Sequence, residues 1–260
     1  MDNINREKIL DSYEENHPFV HFEIIDENGN SCGTYNDNLI RVYLPQVKEF
    51  YDKCIEIVKD NKFCDFTLYD CISYILDHEL IHHDIEKNIV AKYGYINCLK
   101  YAEYLFLSEA IVNYKQYINY HKNNRIKFSI IKSRLLDLID VVKNIHGSSE
   151  LYGEDKIKKP KPIEKSLDLR QKEYSDEQII DFYGSLIGCQ LAYNKVKDNW
   201  NDELNNFNKK NSIFAEYLNQ FSEDILSSAN NCENMTEKLL NKIQEKNDIF
   251  IRQNGLRTYI

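Results

Sequence analysis

Two histidines, four residues apart, are the residues of this chain whose types and spacing could do chemistry. The segment LDHELIHHD carries His78, Glu79 and His82 in the order His-Glu-X-X-His. In an α-helix, residues i and i+4 project from the same face, so both imidazoles can reach one ion. Glu79 is turned by about 100° from His78 around the helix axis, which keeps it off the ion but near a water bound there. This spacing predicts a metal-dependent hydrolase.

Zinc is the ion that this pattern predicts. Three protein ligands around Zn²⁺ leave a fourth position for water and lower the pKa of that water to about 7. Glu79 could then accept the proton and later pass it to the leaving amine. Ile75, Ile85 and Ile89 share the histidine face, so we expect both imidazoles to point inward, where a shared cation compensates for their burial.

The third metal ligand has to come from elsewhere in the chain. Glu109 lies on the apolar face of the next predicted helix, where a carboxylate is costly unless it is paired or binds a metal. Glu103 is a rival, although Lys100 and Asn97 place it on a wetter face. Glu86, one turn beyond the histidine motif, is expected to be solvated. The pattern favours Glu109 and leaves the other two glutamates open.

HELIH followed by a helix carrying SEAIVN resembles the gluzincin pattern of zinc metallopeptidases. The resemblance leaves more than half of the chain unmatched. It implies metal ligands at His78, His82 and Glu109. It also implies that Glu79 is the general base. Many gluzincins have an aspartate four residues after the ligand glutamate, where it orients the first histidine; this chain has Asn113, whose amide oxygen could accept the imidazole N–H instead.

The sequence does not single out a donor for the oxyanion formed during peptide hydrolysis. Such donors are usually histidine or tyrosine side chains. The candidates are Tyr93, Tyr95, Tyr114, His121 and His146. His83 points away from the metal by helical geometry, and we expect it on the surface.

Helical periodicity surrounds the motif. It predicts five helices in the first 146 residues, at 1–15, from Gln46 onward, and at 67–94, 97–121 and 125–145. The motif helix begins with a capping box, in which Thr67 is followed three residues later by Asp70. Gly94 is its expected stop.

A small β region precedes the motif. The runs 19–25 and 38–44 are rich in β-branched and aromatic residues, and the Asn28-Gly29 pair between them predicts a hairpin. The strand NLIRVYL at 38–44 could match the edge strand along which gluzincins bind extended peptide.

The predicted fold class is α+β, mostly helical. A small N-terminal β-sheet packs on zincin-like active-site helices in a metallopeptidase domain at 1–146. Residues 147–176 read as a linker or long loop. Residues 177–260 form a helical C-terminal region of two or three helices, through which a helical partner or a dimer could form.

Composition limits the function classes. The 260 residues carry a net charge of −9, which argues against nucleic-acid binding. No apolar run approaches bilayer length, and the N-terminus lacks the apolar core of a secretory signal. Seven scattered cysteines without a CxxC pair favour a reducing compartment. We therefore expect a cytoplasmic protein that acts on a peptide or protein substrate, with no nucleic-acid or membrane partner.

Three functions fit these observations. The first is a zinc metallopeptidase. The second is a non-catalytic zinc- or peptide-binding regulatory protein whose C-terminal helices contact a partner. The third is a helical interaction protein in which the histidine motif is accidental. Glu79 favours the first, because a binding protein needs no general base.

Overall fold

The computed structural model describes residues 6–58, 66–93, 101–146, 176–197, 202–210 and 212–253. Over these ranges it contains nine α-helices, one short 3₁₀ helix and a three-stranded sheet, which confirms the predicted α+β, mostly helical class. The strands are β1 (His21–Ile25), β2 (Gly33–Asn36) and β3 (Leu39–Tyr43). The helices are α1 (Arg6–Asn16), α2 (Leu44–Val58), α3 (Leu68–Tyr93), α4 (Tyr101–Asn123), α5 (Arg125–His146), α6 (Asp176–Val196), α7 (Asp202–Lys210), α8 (Ser212–Asn230) and α9 (Glu237–Gln253), with the 3₁₀ helix at Cys232–Asn234.

The chain divides into two compact units. One comprises Met1–Lys87 and Gln116–Arg134, and the other comprises Asn88–Lys115 and Leu135–Ile260. The first unit holds the sheet, and the second holds α6 to α9. Apart from Asp176, which begins α6, the predicted linker 147–176 lies outside the described residues. The predicted domain boundaries therefore stay a prediction.

The sheet has the order β1-β3-β2, with β1 parallel and β2 antiparallel to β3. The prediction that Asn28-Gly29 joins two paired strands is therefore wrong, because β1 and β2 lie on opposite sides of β3. The tight hairpin joins β2 and β3 through Asp37 and Asn38, and Asp37 adopts a left-handed φ of 53°. NLIRVYL is also the central strand rather than an edge. One of the two edge strands is β2, which has only four residues, and two of them, Gly33 and Asn36, are of types that are rare in strands.

Apolar side chains from the sheet and its flanking helices form the core of the first unit. Phe22, Ile40 and Val42 are buried on the strands, and Ile9 is fully buried on α1. Helix α1 packs against β1, and α2 packs against β3.

The predicted capping box begins α3. The Thr67 backbone N–H donates to Asp70 Oδ2 at 2.7 Å, and the Asp70 N–H donates to Thr67 Oγ1 at 3.3 Å. From there α3 runs for 26 residues to Tyr93. Its expected stop, Gly94, lies outside the described residues. The capping box sets where the helix starts and so which residues share its buried face.

A polar cluster fixes α3 immediately before the histidine motif. The Tyr13 hydroxyl donates to Asp77 Oδ1 at 2.6 Å, and Lys127 Nζ lies 2.5 Å from Asp77 Oδ2. The Tyr120 hydroxyl donates to the same Oδ2 atom. Side chains from α1, α4 and α5 thus hold α3 at Asp77, one residue before His78.

The second unit is centred on packed aromatic rings. The Phe106 ring lies 5.7 Å from the Tyr217 ring and 6.1 Å from the Phe221 ring. The described part of 177–260 contains four helices rather than the two or three expected. Within the described ranges, no helix has both the length and the apolar character that crossing a bilayer requires.

Candidate metal centre

The two histidines of the motif converge. His78 is 5% exposed and His82 is 3% exposed, which confirms that both point into the protein. Their Nε2 atoms lie 3.1 Å apart. Two nitrogens that bind one tetrahedral zinc at the usual bond length are separated by about 3.3–3.4 Å. The spacing of the two rings therefore fits a shared ion with only a small adjustment.

Gln116 determines which nitrogen of His78 carries the proton. The Gln116 amide Nε2 donates to the Tyr74 carbonyl oxygen at 3.2 Å, so its Oε1 faces the other way. That oxygen lies 3.0 Å from His78 Nδ1, which must therefore carry the hydrogen. The lone pair of His78 is then on Nε2, the atom directed at His82. Partners of this kind orient and polarise the histidine ligands of metal sites.

Glu109 lies with the two histidines in a group of three side chains that could hold a metal ion. One ligand atom from each of His78, His82 and Glu109 lies within 4.8 Å of the other two, and no other group of three metal-binding side chains was found among the described residues. Glu109 is half-buried. Its Oε2 accepts hydrogen bonds from Asn113 Nδ2 and from the Ser185 hydroxyl, each at 3.0 Å. These donors stabilise the carboxylate in its charged form, which is the form that binds a cation.

Asn113 has a different position from the one expected for it. The resemblance assigned it to His78, but its Nδ2 atom faces the Glu109 side chain and the Glu109 carbonyl oxygen, the latter at 2.9 Å. Gln116, three residues later on α4, contacts His78 Nδ1 instead. Asn113 therefore orients the glutamate, and Gln116 orients the histidine.

Two further expectations about burial are wrong. Glu103, expected on a wetter face, is 7% exposed, and His83, expected on the surface, is 4% exposed. The ring of His83 packs inside the first unit, with Nε2 3.4 Å from Asn38 Oδ1. Glu86 is half-exposed on α3. Neither Glu103 nor Glu86 joins the ligand group.

Glu79 is buried against the edge strand. It is 9% exposed, and a Cβ atom added to Gly33 of β2 would lie 2.8 Å from Glu79 Oε1. The same atom would lie 2.6 Å from Ile75 Cγ2. Only glycine lets β2 approach α3 this closely. The strand thereby confines the side chain of the predicted general base.

Tyr35, also on β2, packs on the second histidine. Its ring lies 5.7 Å from the His82 ring, with 9° between the two planes. Residues 33 and 35 lie on the same side of a strand. Strand β2 therefore runs along the histidine motif, with Gly33 beside Glu79 and Tyr35 stacked on His82. This stacking restricts rotation of the His82 ring.

The structure does not favour any of the candidate oxyanion donors. The Tyr114 hydroxyl accepts a hydrogen bond from Lys195 Nζ at 2.8 Å, and the His121 ring packs edge-on against Phe128 at 5.0 Å. Tyr95 lies outside the described residues, and the side chains of Tyr93 and His146 are not described.

Four residues of the site were not assigned from the sequence. Gln116 carried a signal, because it lies on the same apolar stripe of α4 as Glu109, where a buried amide needs a partner. Gly33, Tyr35 and Ser185 carried none, since their roles depend on contacts between elements that are distant in the sequence.

Comparisons with models of protein families, with curated proteins and with solved structures each found no match to this chain. The function is therefore inferred from the side chains of the site alone.

Proposed function

We propose that the protein is a zinc-dependent metallopeptidase that hydrolyses peptide bonds through a metal-activated water. His78, His82 and Glu109 would hold the zinc, and Glu79 would act as general base. The observation that carries the proposal is the convergence of the three ligand atoms within 4.8 Å, with the His78 lone pair directed at His82. An accidental motif has no reason to be accompanied by a glutamate from another helix.

The metal would supply Lewis acidity, which lowers the pKa of a bound water to about 7. The side chains of the protein would supply the proton transfers. Glu79 lies one residue after His78, so its carboxylate would be offset from the metal rather than bind it. It would accept a proton from the attacking water and pass that proton to the leaving amine. Gly33 supports this role because it lets β2 confine Glu79.

The substrate would bind along β2 rather than along NLIRVYL. Among the described strands, β2 pairs only with β3, so its other edge can add an extended peptide. Gly33 and Tyr35 bring this edge beside Glu79 and His82. A peptide paired with β2 would therefore run past the general base.

Cysteine chemistry supports a cytoplasmic location. The five described cysteines are all thiols. We place the protein in a reducing compartment on this basis.

Metal analysis combined with a peptidase assay tests the proposal. We expect about one zinc per chain in the wild-type protein, and cleavage of a mixed library of quenched fluorescent peptides. Glu79→Gln should keep the zinc and lose hydrolysis, whereas His82→Ala should lose both. Glu86→Gln is the matched control, because it removes a carboxylate from the same helix outside the ligand group.

Two results would contradict the proposal. If the wild-type protein did not contain stoichiometric zinc, the proposed metal site would be refuted. If Glu79→Gln kept full hydrolysis, the proposed role of Glu79 as general base would be refuted, but the metal site would not. The non-catalytic alternative predicts stoichiometric zinc without hydrolysis in any of these proteins.

A further inference from the structure

Helix α6 lies in direct backbone contact with α4 beside Glu109. A Cβ atom added to Gly184 would lie 2.5 Å from the Phe106 carbonyl oxygen, and one added to Gly188 would lie 2.2 Å from the Ala110 carbonyl oxygen. These glycines are four residues apart and share one face of α6. Any larger side chain at either position would push the helices apart.

The close approach brings Ser185 to the metal ligand. The Ser185 hydroxyl lies 3.0 Å from Glu109 Oε2 and 3.1 Å from Asn113 Nδ2. An amide nitrogen can only donate, so Ser185 accepts from Asn113 and keeps its own hydrogen for Glu109. Asn113 Nδ2 also lies 3.0 Å from Glu109 Oε2. Asn113 Nδ2 has two hydrogens for three acceptors, which are Ser185 Oγ, Glu109 Oε2 and the Glu109 carbonyl oxygen, so one of its hydrogens is shared between two of them. The three side chains thus form one hydrogen-bonded network, and Ser185 is only 2% exposed.

We infer that Ser185, with Asn113, is a positioning residue for the third metal ligand. Two donors on Oε2 hold the Glu109 carboxylate in one orientation and occupy that oxygen. Glu109 would then have only Oε1 left to hold the metal, and a carboxylate that supplies one ligand atom would leave a coordination position for water. The inference rests on the proposed zinc site and extends it to α6.

This role changes the interpretation of the C-terminal region. The sequence left α6 as part of a helical module that could serve a partner or a dimer. The contacts of Gly184, Ser185 and Gly188 make α6 part of the metal centre, because one of its side chains fixes a ligand.

Ser185→Ala in the full chain tests the inference, with Ser228→Ala as the control. Ser228 is fully buried on α8, and its hydroxyl has no hydrogen-bond partner among the described residues. Ser185→Ala should lower zinc affinity by about 10-fold, as loss of a residue behind a metal ligand does. Ser228→Ala should leave it unchanged. The metal affinity is measured by competition with a chromophoric chelator, and the melting temperature of the metal-free protein reports on folding.

The visible spectrum of the cobalt-substituted protein separates positioning from packing. Cobalt absorption depends on coordination number and geometry. Ser185→Ala should change the bands, because a released carboxylate can bind through both oxygens. A merely structural serine would leave the bands as in the wild-type protein.

Asn113→Asp gives a second test, because the two possible roles of residue 113 predict opposite changes in zinc affinity. If residue 113 served His78, as an aspartate does in gluzincins, this variant would bind zinc more tightly. The network predicts the opposite, since a carboxylate would replace a donor with a negative charge against Glu109 Oε2. We expect at least a 10-fold loss of affinity, by the usual scale for such partners.

The outcomes distinguish the two proposals. Zinc affinity and cobalt bands that stay at wild-type values in Ser185→Ala would overturn the role of α6 and leave the zinc site standing. Tighter binding in Asn113→Asp would also overturn it. A wild-type protein that binds no zinc would overturn both proposals.

Discussion

At the scale of single residues, the site depends on the orientation of polar side chains that bind no metal. Gln116 is 1% exposed and connects the Tyr74 carbonyl to His78 Nδ1, so the direction of one amide decides which imidazole nitrogen carries the lone pair. Asn113 plays the matching part for Glu109. Without these two amides, the orientations of the His78 ring and of the Glu109 carboxylate would not be fixed.

Gln116→Leu should therefore weaken zinc binding by about 10- to 100-fold. The leucine keeps most of the volume but removes the oxygen that accepts from His78 Nδ1, so the ring can rotate or change tautomer. Chelator competition measures the affinity. Gln190→Leu is the control, because Gln190 is fully buried on α6 and its Nε2 atom contacts Asn194 rather than a ligand. Equal affinities in the two variants would contradict the role of Gln116.

At the scale of elements, the site depends on how closely β2 approaches α3. The HELIH helix, its capping box and the inward direction of both histidines could be predicted, because they follow from periodicity within one segment. The strand order could not. Pairing of β1 with β3 in parallel depends on contacts across the chain, and the Asn28-Gly29 signal for a local hairpin misled the prediction. Ser185 was missed for a similar reason, since it lies 76 residues from Glu109.

Gly33→Ala should reduce hydrolysis by about 100-fold while zinc stays bound, because a displacement of about 1 Å in a catalytic group has effects of that size. The three atoms nearest to the added methyl belong to Glu79 and Ile75 rather than to the proposed metal ligands. Steady-state kinetics and metal analysis on the same preparation measure both quantities.

Gly29→Ala controls for a general packing defect. A Cβ atom at Gly29 would lie 2.4 Å from the Tyr43 ring, an equally close contact that does not involve Glu79. It should cost about 1–3 kcal/mol of stability and keep the activity of the molecules that remain folded. If both glycine variants lost hydrolysis equally, the specific contact between β2 and the general base would be refuted.

At the scale of the whole molecule, both units contain buried tyrosines that resist ionisation. Burial, reinforced by Asp77, raises the pKa of Tyr13 and Tyr120 well above the usual range, and burial does the same for Tyr217. In the unfolded chain these hydroxyls ionise near pH 10. The unfolded state therefore loses protons before the folded state does. Their contribution to stability is full below about pH 10 and is lost as the pH rises further.

Tyr120→Phe should make this alkaline loss shallower. At neutral pH the variant should be less stable by about 1.5–3 kcal/mol, because it removes a hydrogen bond to the Asp77 carboxylate. Between pH 10 and 11 its free energy of unfolding should fall less steeply than that of the wild-type protein, by up to about 1.4 kcal/mol per pH unit. Urea unfolding at pH 7, 10 and 11 measures both quantities. A wild-type slope in the variant would mean that Tyr120 ionises in the folded state.

The C-terminal helices form the larger part of the second unit. Their predicted use as a surface for a helical partner or a dimer stays a prediction, and the role that we infer for α6 in the proposed metal site rests on the hydrogen bond from Ser185 to Glu109.

X-ray absorption at the zinc edge of the purified protein tests the central claim most directly. The ligand set of His78, His82 and one oxygen of Glu109 predicts nitrogen and oxygen neighbours at about 2.0–2.1 Å. It also predicts outer-shell scattering from two imidazole rings. A sulfur neighbour at about 2.3 Å would place the zinc on cysteines instead. Zinc without imidazole scattering would mean that the converging histidines do not bind it.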